Sequence, residues 1–430
     1  MLSTADNAIV TQTKRGTPMG ALFRRYWLPA LLSDELVADE APVRFKLLSE
    51  DLVAFRGTDG EVGILSEYCP HRGVSLALAR NEADGLRCIY HGWKFDRSGT
   101  CVDLPTEPAS SDFKNKVRAG AYATREHAGA VWVYMGAPES EPPFPAYLWT
   151  TVPESHRIMA KWIQDANWLQ SLEGGIDTVH ASYLHNRATG PSTAPGSAAS
   201  DLMVNDSTPR LELELTNYGF RYAAIRHGDG ANESYVRITP HIMPCSSYPP
   251  AVKGTNRIWD MWVPRDDHSC WAWDVCFNET TPMSDELKEE LKEYRGYDTY
   301  DPKTFIKYGN RENMWLQDRE LMRTESWSGI RGLFPQDNAV QESMGSIIDR
   351  TIEHLGTTDI AIIAARRLYI KAARELAEQG IEPPGVWEQK DYAHISSDAY
   401  LQDADQPWRS MRPLDARFQI PAGPEATSGS

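Results

Sequence analysis

Four residues constrain this chain more than any others. In the stretch EYCPHRGVSLALARNEADGLRCIYHGWKF, Glu67 to Phe95, the residues Cys69, His71, Cys88 and His91 form the pattern C-x-H-x16-C-x2-H. A thiol and an imidazole lie close together twice, each time on a segment that reads as a loop between short strands. Two such loops can converge on one metal centre, and the surrounding fold then has to hold them there. A structural zinc ion accepts two Cys and two His in a tetrahedron. Zinc fingers, however, group Cys with Cys and His with His, whereas here the types alternate within each pair. Alternation suits a two-iron cluster in which one iron takes both thiolates and the other both imidazoles. Neutral imidazoles lower the negative charge on such a centre and raise its reduction potential, which fits it for passing single electrons.

The rest of the chain is more than such a centre needs. Its 430 residues imply about two domains. A net charge of −16 excludes a nucleic-acid partner, because phosphate binding requires a basic surface. No apolar run reaches the length of a membrane span, and the N-terminus lacks a basic segment followed by an apolar core, so no transmembrane helix and no secretory signal are expected. Six cysteines are too few for a disulfide scaffold, and a cytoplasmic location follows as the expectation.

Along the chain, TPMGALFRRYWLPALLSDEL reads as a short amphipathic helix ending near Pro29. From Val43 the texture becomes short alternating runs separated by Gly and Asp turns, as antiparallel strands require. AVWVYMG is one more strand, and PESEPPFP marks a boundary. Asn167 to His185 reads as helix; strand texture returns in RLELELTNYGFRYAAIR, YVRITPHIMP, RIWDMWVP and CWAWDVCF. TTDIAIIAARRLYIKAARELAEQG predicts a long helix, with Thr357 or Thr358 as N-cap and Gly380 as left-handed C-cap.

A second candidate metal site lies in NWLQSLEGGIDTVHASYLHN, where Asp177, His180 and His185 form D-x2-H-x4-H. Two imidazoles and one distant carboxylate make the facial triad of mononuclear iron(II), which leaves positions open for dioxygen. Residues five apart are separated by about 140° around a helix, so this helix must bend or end before both rings reach one metal, with Gly174 and Gly175 as the loosening points. The plain alternative is a set of polar residues on a helix face. For the carboxylate, Asp337, Glu342, Asp349 and Asp318 all qualify.

CPHRG and CIYHGWKFD resemble the cluster loops of Rieske non-heme iron oxygenases. GTPMGALFRRYWLPAL and WLQDRELMRTESWSGIRGLFPQDNAVQESMG look especially like the phthalate 4,5-dioxygenase branch, which includes aromatic-acid dioxygenases and aryl-ether O-demethylases. The resemblance covers nearly the whole chain. It implies a [2Fe-2S] cluster with Cys69 and Cys88 on one iron and His71 and His91 on the other. It also implies a mononuclear Fe(II) on His180, His185 and Asp337, because QD followed by QE resembles the family's late Asp motif. Asp177 is then an electron-transfer bridge, linking His91 of one subunit to His180 of the next in a homotrimer or stacked trimers.

The implied fold is α+β: an N-terminal helical segment at 1–43 packing on the catalytic domain, an all-β Rieske domain at 44–145, a helix-grip catalytic domain at 146–420, and a disordered tail at 421–430. The implied activity is cis-dihydroxylation of an aromatic carboxylic acid with dioxygen. O-demethylation of a methoxylated acid is the alternative, and an electron carrier without catalysis is the alternative of another class. No G-x-G-x-x-G follows a strand and no further four-cysteine set is present, so electrons must come from a separate NAD(P)H-dependent flavin/iron-sulfur reductase. For the substrate carboxylate, Arg221, Arg226 and Arg237 fall on predicted strands, with Tyr183, Trp315, His241 and Cys245 as further lining candidates.

Overall fold

The computed structural model describes residues 1–83, 85–108, 110–187, 202–252 and 254–411, in two compact units. One unit is Thr13–Pro142 with Pro264–Asp266. It is built on a six-stranded sheet in the order Trp27–Leu32, Ala130–Tyr134, Ala121–His127, Val62–Ser66, Glu50–Arg56 and Val43–Leu47. Every paired neighbour in it is antiparallel. A smaller sheet, Arg80–Glu82, Gly85–Arg87, Lys94–Phe95 and Cys101–Asp103, extends from the connection between two of these strands. Its core joins Val53, Leu65, Leu76, Leu86 and Phe95 to Cys69 and Cys88, so the two thiols belong to the packed interior.

The N-terminal segment departs from the expectation. The helix covers only Pro18–Phe23, capped by the Thr17 hydroxyl on the Gly20 N–H, and Trp27–Leu32 is an edge strand of the six-stranded sheet. The strand is buried at five of its six positions, so it shows no alternation to betray it. Pro29 stops no helix; it sits where the register shifts, on an edge strand that tolerates a missing N–H. Only Met1–Gln12 groups with the larger unit, whereas the expectation placed all of 1–43 there.

The larger unit is Met1–Gln12, Pro143–Val263 and the chain from Asp267. Its antiparallel sheet runs Arg157–Gln164, Cys270–Phe277, Arg257–Pro264, Ser246–Ser247, Glu233–Ile242, Gly219–His227 and Arg210–Thr216, with Asp398–Asp403 also paired to Glu233–Ile242. The helices Trp168–Gly175, Leu333–Ser343 and Ile360–Gln379 complete an α+β architecture. The last of these packs through Tyr369, whose hydroxyl donates to the Pro244 carbonyl at 2.6 Å and meets His241 at 2.9 Å. Gly380 closes that helix at φ 68°, as expected. Its start differs: Asp359, rather than Thr357 or Thr358, reaches back to accept the Gly356 N–H at 2.6 Å. Among the described residues no helix is long and apolar enough to cross a membrane. The expected tail at 421–430 lies outside the described residues.

Candidate metal centres and cavity

The two Cys/His loops are built alike. Cys69 N–H donates to the Val74 carbonyl at 2.8 Å and Gly73 N–H to the Cys69 carbonyl at 2.9 Å; Cys88 with Trp93 and Gly92 with Cys88 repeat this at 2.9 and 3.0 Å. Each turn closes on a glycine with φ near +74°, a conformation that costs other residues about a kcal/mol or more. The histidine stands two residues after the cysteine in one loop and three in the other. The two rings meet edge to face at 4.5 Å, and His71 stacks on Trp93 at 4.1 Å. Burial, with Cys88 nearby, pushes the Cys69 thiol up to about 11. His91 Nδ1 is buried and has no hydrogen-bond partner among the described residues. Two buried thiols, two adjoining imidazoles and an orphaned ring nitrogen form a donor set that fits a two-iron, two-Cys, two-His cluster.

In the larger unit, His180, His185 and Asp337 come together. His180 Nε2 and His185 Nε2 are 3.2 Å apart, and Asp337 Oδ1 lies 3.5 and 3.4 Å from them. The helix expected over 167–185 ends at Gly175; His180 begins a single 3-10 turn, which removes the angular conflict between the rings. Gly174 and Gly175 serve packing rather than flexibility. A Cβ on Gly175 would lie 1.9 Å from Trp262 Cη2, and one on Gly174 would lie 2.0 Å from Gln341 Nε2. Asp337 comes from the helix Leu333–Ser343, which is fixed by its neighbours: Asn338 accepts the Trp162 indole N–H at 3.2 Å, and Gln170 donates to the Gln341 carbonyl at 3.3 Å. The other carboxylates are committed elsewhere. Glu342 pairs with Lys307 and accepts from Trp315, Asp349 accepts from Thr351, and Asp318 caps Arg319–Thr324.

Asp177 Oδ1 accepts the Val179 N–H at 2.7 Å, which turns its other oxygen to within 3.8 Å of His180 Nδ1. That nitrogen is itself buried with no hydrogen-bond partner among the described residues. Burial raises the Asp177 carboxyl, but the attraction of His180 and nearby N–H groups outweighs it and holds the group below its usual range. Against its own desolvation, His180 is held above its usual value by Asp177 and Asp337. Three converging donors, each with a lone pair for a cation, fit a mononuclear iron with open positions.

The triad lines a cavity of about 1260 Å³. Trp162, Trp262 and Phe334 give it apolar walls, and Tyr222, Arg237 and Thr239 give it a polar side. Of the three expected arginines only Arg237 reaches it, with Nε buried and unpartnered among the described residues. Arg221 instead bonds Glu214 at 2.8 Å, and Arg226 bonds the Asp206 and Thr178 carbonyls. Burial and nearby Arg237 bring Arg226 down to about 10. Tyr183 is 53% exposed, packs edge-on against Trp327 and does not line the cavity. Trp315, His241 and Cys245 are buried away from it, with His241 held between the Ser246 carbonyl and Tyr369.

Two features of this site escape sequence reading. Asp260 lines the wall beside Asp274, and Asp274 takes both the Arg295 guanidinium and the Tyr297 hydroxyl. Burial, reinforced by Asp274, pushes the Asp260 carboxyl well above its usual range. Gln336, one residue before Asp337, meets His185 Nδ1 at 2.8 Å. Neither shows in the sequence, because the partner that gives each residue its role lies on another element.

Residues 26–118 match the Rieske [2Fe-2S] domain, and residues 133–426 match the family described as LigXa C-terminal domain like. The chain is 38% identical to the phthalate 4,5-dioxygenase oxygenase subunit of Pseudomonas putida, over 96% of this chain and 95% of that one. It is 37% identical to the 3-chlorobenzoate-3,4-dioxygenase oxygenase subunit of Comamonas testosteroni, over 95% and 98%. The solved structure of the Pseudomonas putida CBB5 NdmA QL mutant with theobromine shares the fold at TM-score 0.59 and 20% identity, over 90% of this chain and 98% of that one.

Proposed function

This chain belongs to the Rieske non-heme iron oxygenases, and we propose that within the family it oxidises an aromatic carboxylic acid by cis-dihydroxylation. It is the oxygenase subunit of a multicomponent system, so a purely electron-carrying role does not apply. One observation carries the reading: His180, His185 and Asp337 converge on a roomy, half-apolar cavity in a chain that also carries the two cluster loops.

Cys69 and Cys88 would hold one cluster iron and His71 and His91 the other; His180, His185 and Asp337 would hold the mononuclear iron. When bound, the cluster supplies single electrons and the mononuclear iron supplies dioxygen activation. Trp162, Trp262 and Phe334 clasp the aromatic ring and exclude water from it. Arg237 takes the substrate carboxylate, since a guanidinium matches a carboxylate through two parallel bonds. Asp177, 3.8 Å from His180 Nδ1, would accept its N–H in the loaded enzyme and, in a closed trimer, the Nε2–H of His91 of the partner subunit. A carboxylate between two ligating imidazoles fixes both rings and raises their basicity. The electron donor is a separate NAD(P)H-dependent reductase.

The test is turnover of purified protein with a surrogate reductase on benzoates, phthalates and methoxybenzoates, with products read by mass. A gain of two oxygens and two hydrogens on an aromatic acid supports the proposal. Formaldehyde release would move the assignment to O-demethylation, and conversion of only uncharged arenes would remove the carboxylate from it.

A further inference from the structure

We propose that Gln336 is the positioning residue that decides which nitrogen His185 presents to iron, working from the Ile330 carbonyl as its anchor; this rests on the ligand assignment above. Which end of a glutamine amide is oxygen is settled by its partners. Gln336 Nε2 lies 2.8 Å from the Ile330 carbonyl oxygen. A carbonyl can only accept, so that end of the amide is the NH2. The other end is therefore the oxygen, and it lies 2.8 Å from His185 Nδ1. An amide oxygen also only accepts, so Nδ1 carries the proton. His185 is then the Nδ1–H tautomer, with its lone pair on Nε2. That is the atom 3.2 Å from His180 Nε2 and 3.4 Å from Asp337 Oδ1. One carbonyl thus fixes the amide, the amide fixes the tautomer, and the tautomer fixes the donor atom.

The anchor is itself held. Ile330 lies in the segment between the helices Arg319–Thr324 and Leu333–Ser343. That segment is pinned by Asp318 N–H on the Gly329 carbonyl at 2.8 Å, Gln317 on the Ser328 carbonyl at 2.7 Å, and Trp327 N–H on the Asn186 carbonyl at 3.0 Å. It also carries Trp327, a cavity-lining residue. Gln336 therefore ties the His185 ring to the segment that carries Trp327. His180 is served differently, by a carboxylate 3.8 Å away, so the two imidazoles are held by unlike partners. Hydrogen-bond partners of this kind typically carry about 10- to 100-fold of metal affinity.

The experiment uses full-length protein with its cluster in place and cobalt(II) substituted at the emptied mononuclear site. In wild type, a hyperfine-shifted, solvent-exchangeable proton assigned to His185 Nδ1–H is expected by NMR; a His185 ring with no proton at Nδ1 overturns the proposal without any variant. Gln336→Met is expected to bind cobalt about 10- to 100-fold more weakly and to lose or rapidly exchange that proton, with cluster absorption unchanged. Gln336→Glu keeps the acceptor toward His185 but loses the NH2 held by the Ile330 carbonyl, and is expected to bind cobalt more tightly than Q336M and less tightly than wild type. Wild-type affinity in Q336M overturns the proposal, and so does a folded Q336E no tighter than Q336M, since the acceptor would then contribute nothing. His185→Ala separates the two claims. Loss of cobalt there alongside an unaffected Q336M rejects only the role of Gln336, whereas retention of cobalt in H185A rejects the ligand assignment beneath it.

Discussion

At the scale of single residues, the side chain of greatest consequence beyond the metal ligands is Arg237. Its Nε is buried and unpartnered among the described residues, on a cavity with Trp162, Trp262 and Phe334 in its walls. If it receives a carboxylate, Arg237→Ala removes a charge-assisted contact of about 1.5–3 kcal/mol. The expected outcome in steady-state kinetics is a KM for the aromatic acid raised about 10- to 100-fold with kcat little changed. Arg221→Ala, on the next strand, is expected to leave KM alone, because that guanidinium serves Glu214. Asp177 makes a different prediction. Asp177→Asn keeps the shape but removes the charge between two imidazoles, so both centres should remain loaded. In a single turnover with substrate and oxygen, followed by cluster absorbance, cluster reoxidation should slow by about 10- to 100-fold. A wild-type rate would remove Asp177 from the path.

At the scale of elements, the approach of the helix Trp168–Gly175 to the sheet is set by Gly175, over which Trp262 lies. Gly175→Ala is expected to cost about 1–3 kcal/mol in denaturant unfolding, because a rigid indole cannot yield to a Cβ placed 1.9 Å from it. Gly174→Ala should cost less, since its nearest neighbour is the end of the Gln341 side chain. With the Asp260 carboxyl raised in the folded protein above its ordinary 3.8, the folded state binds a proton there more tightly than the unfolded chain does. This contribution to stability is complete below pH 3.8 and is lost as pH rises through the folded value. Asp260→Asn should therefore lessen the fall in stability as pH rises, read by denaturant unfolding across pH; an unchanged slope would remove Asp260 from the effect.

The same elements show what sequence reading reaches. The cluster loops were legible because all four candidate ligands sit within 23 consecutive residues, Cys69 to His91. His180 and His185 were legible as a pair, but the carboxylate had three local rivals until the fold placed Asp337 beside the rings. The choice among arginines was out of reach. Side chains alternate along a strand, so Tyr222 faces the cavity while Arg221, one residue away, faces the other side. The fully buried edge strand Trp27–Leu32 was hidden for a related reason, since burial on both faces erases alternation.

At the scale of the whole molecule, two units carry the chemistry. One is a β-rich frame for a pair of matched loops, and the other is a helix-lined sheet enclosing a cavity. The net charge of −16 favours a donor protein that presents a basic face, and docking by charge weakens with salt. What joins these features into one account is that the chain holds two separate iron centres, one for storing electrons and one facing substrate. Iron and acid-labile sulfide per chain, measured on wild type and on His185→Ala prepared side by side, test this most directly. The account predicts about three irons and about two sulfides in wild type, falling to about two irons with sulfide unchanged in the variant. Two irons in wild type, or an undiminished iron count in His185→Ala, would contradict it.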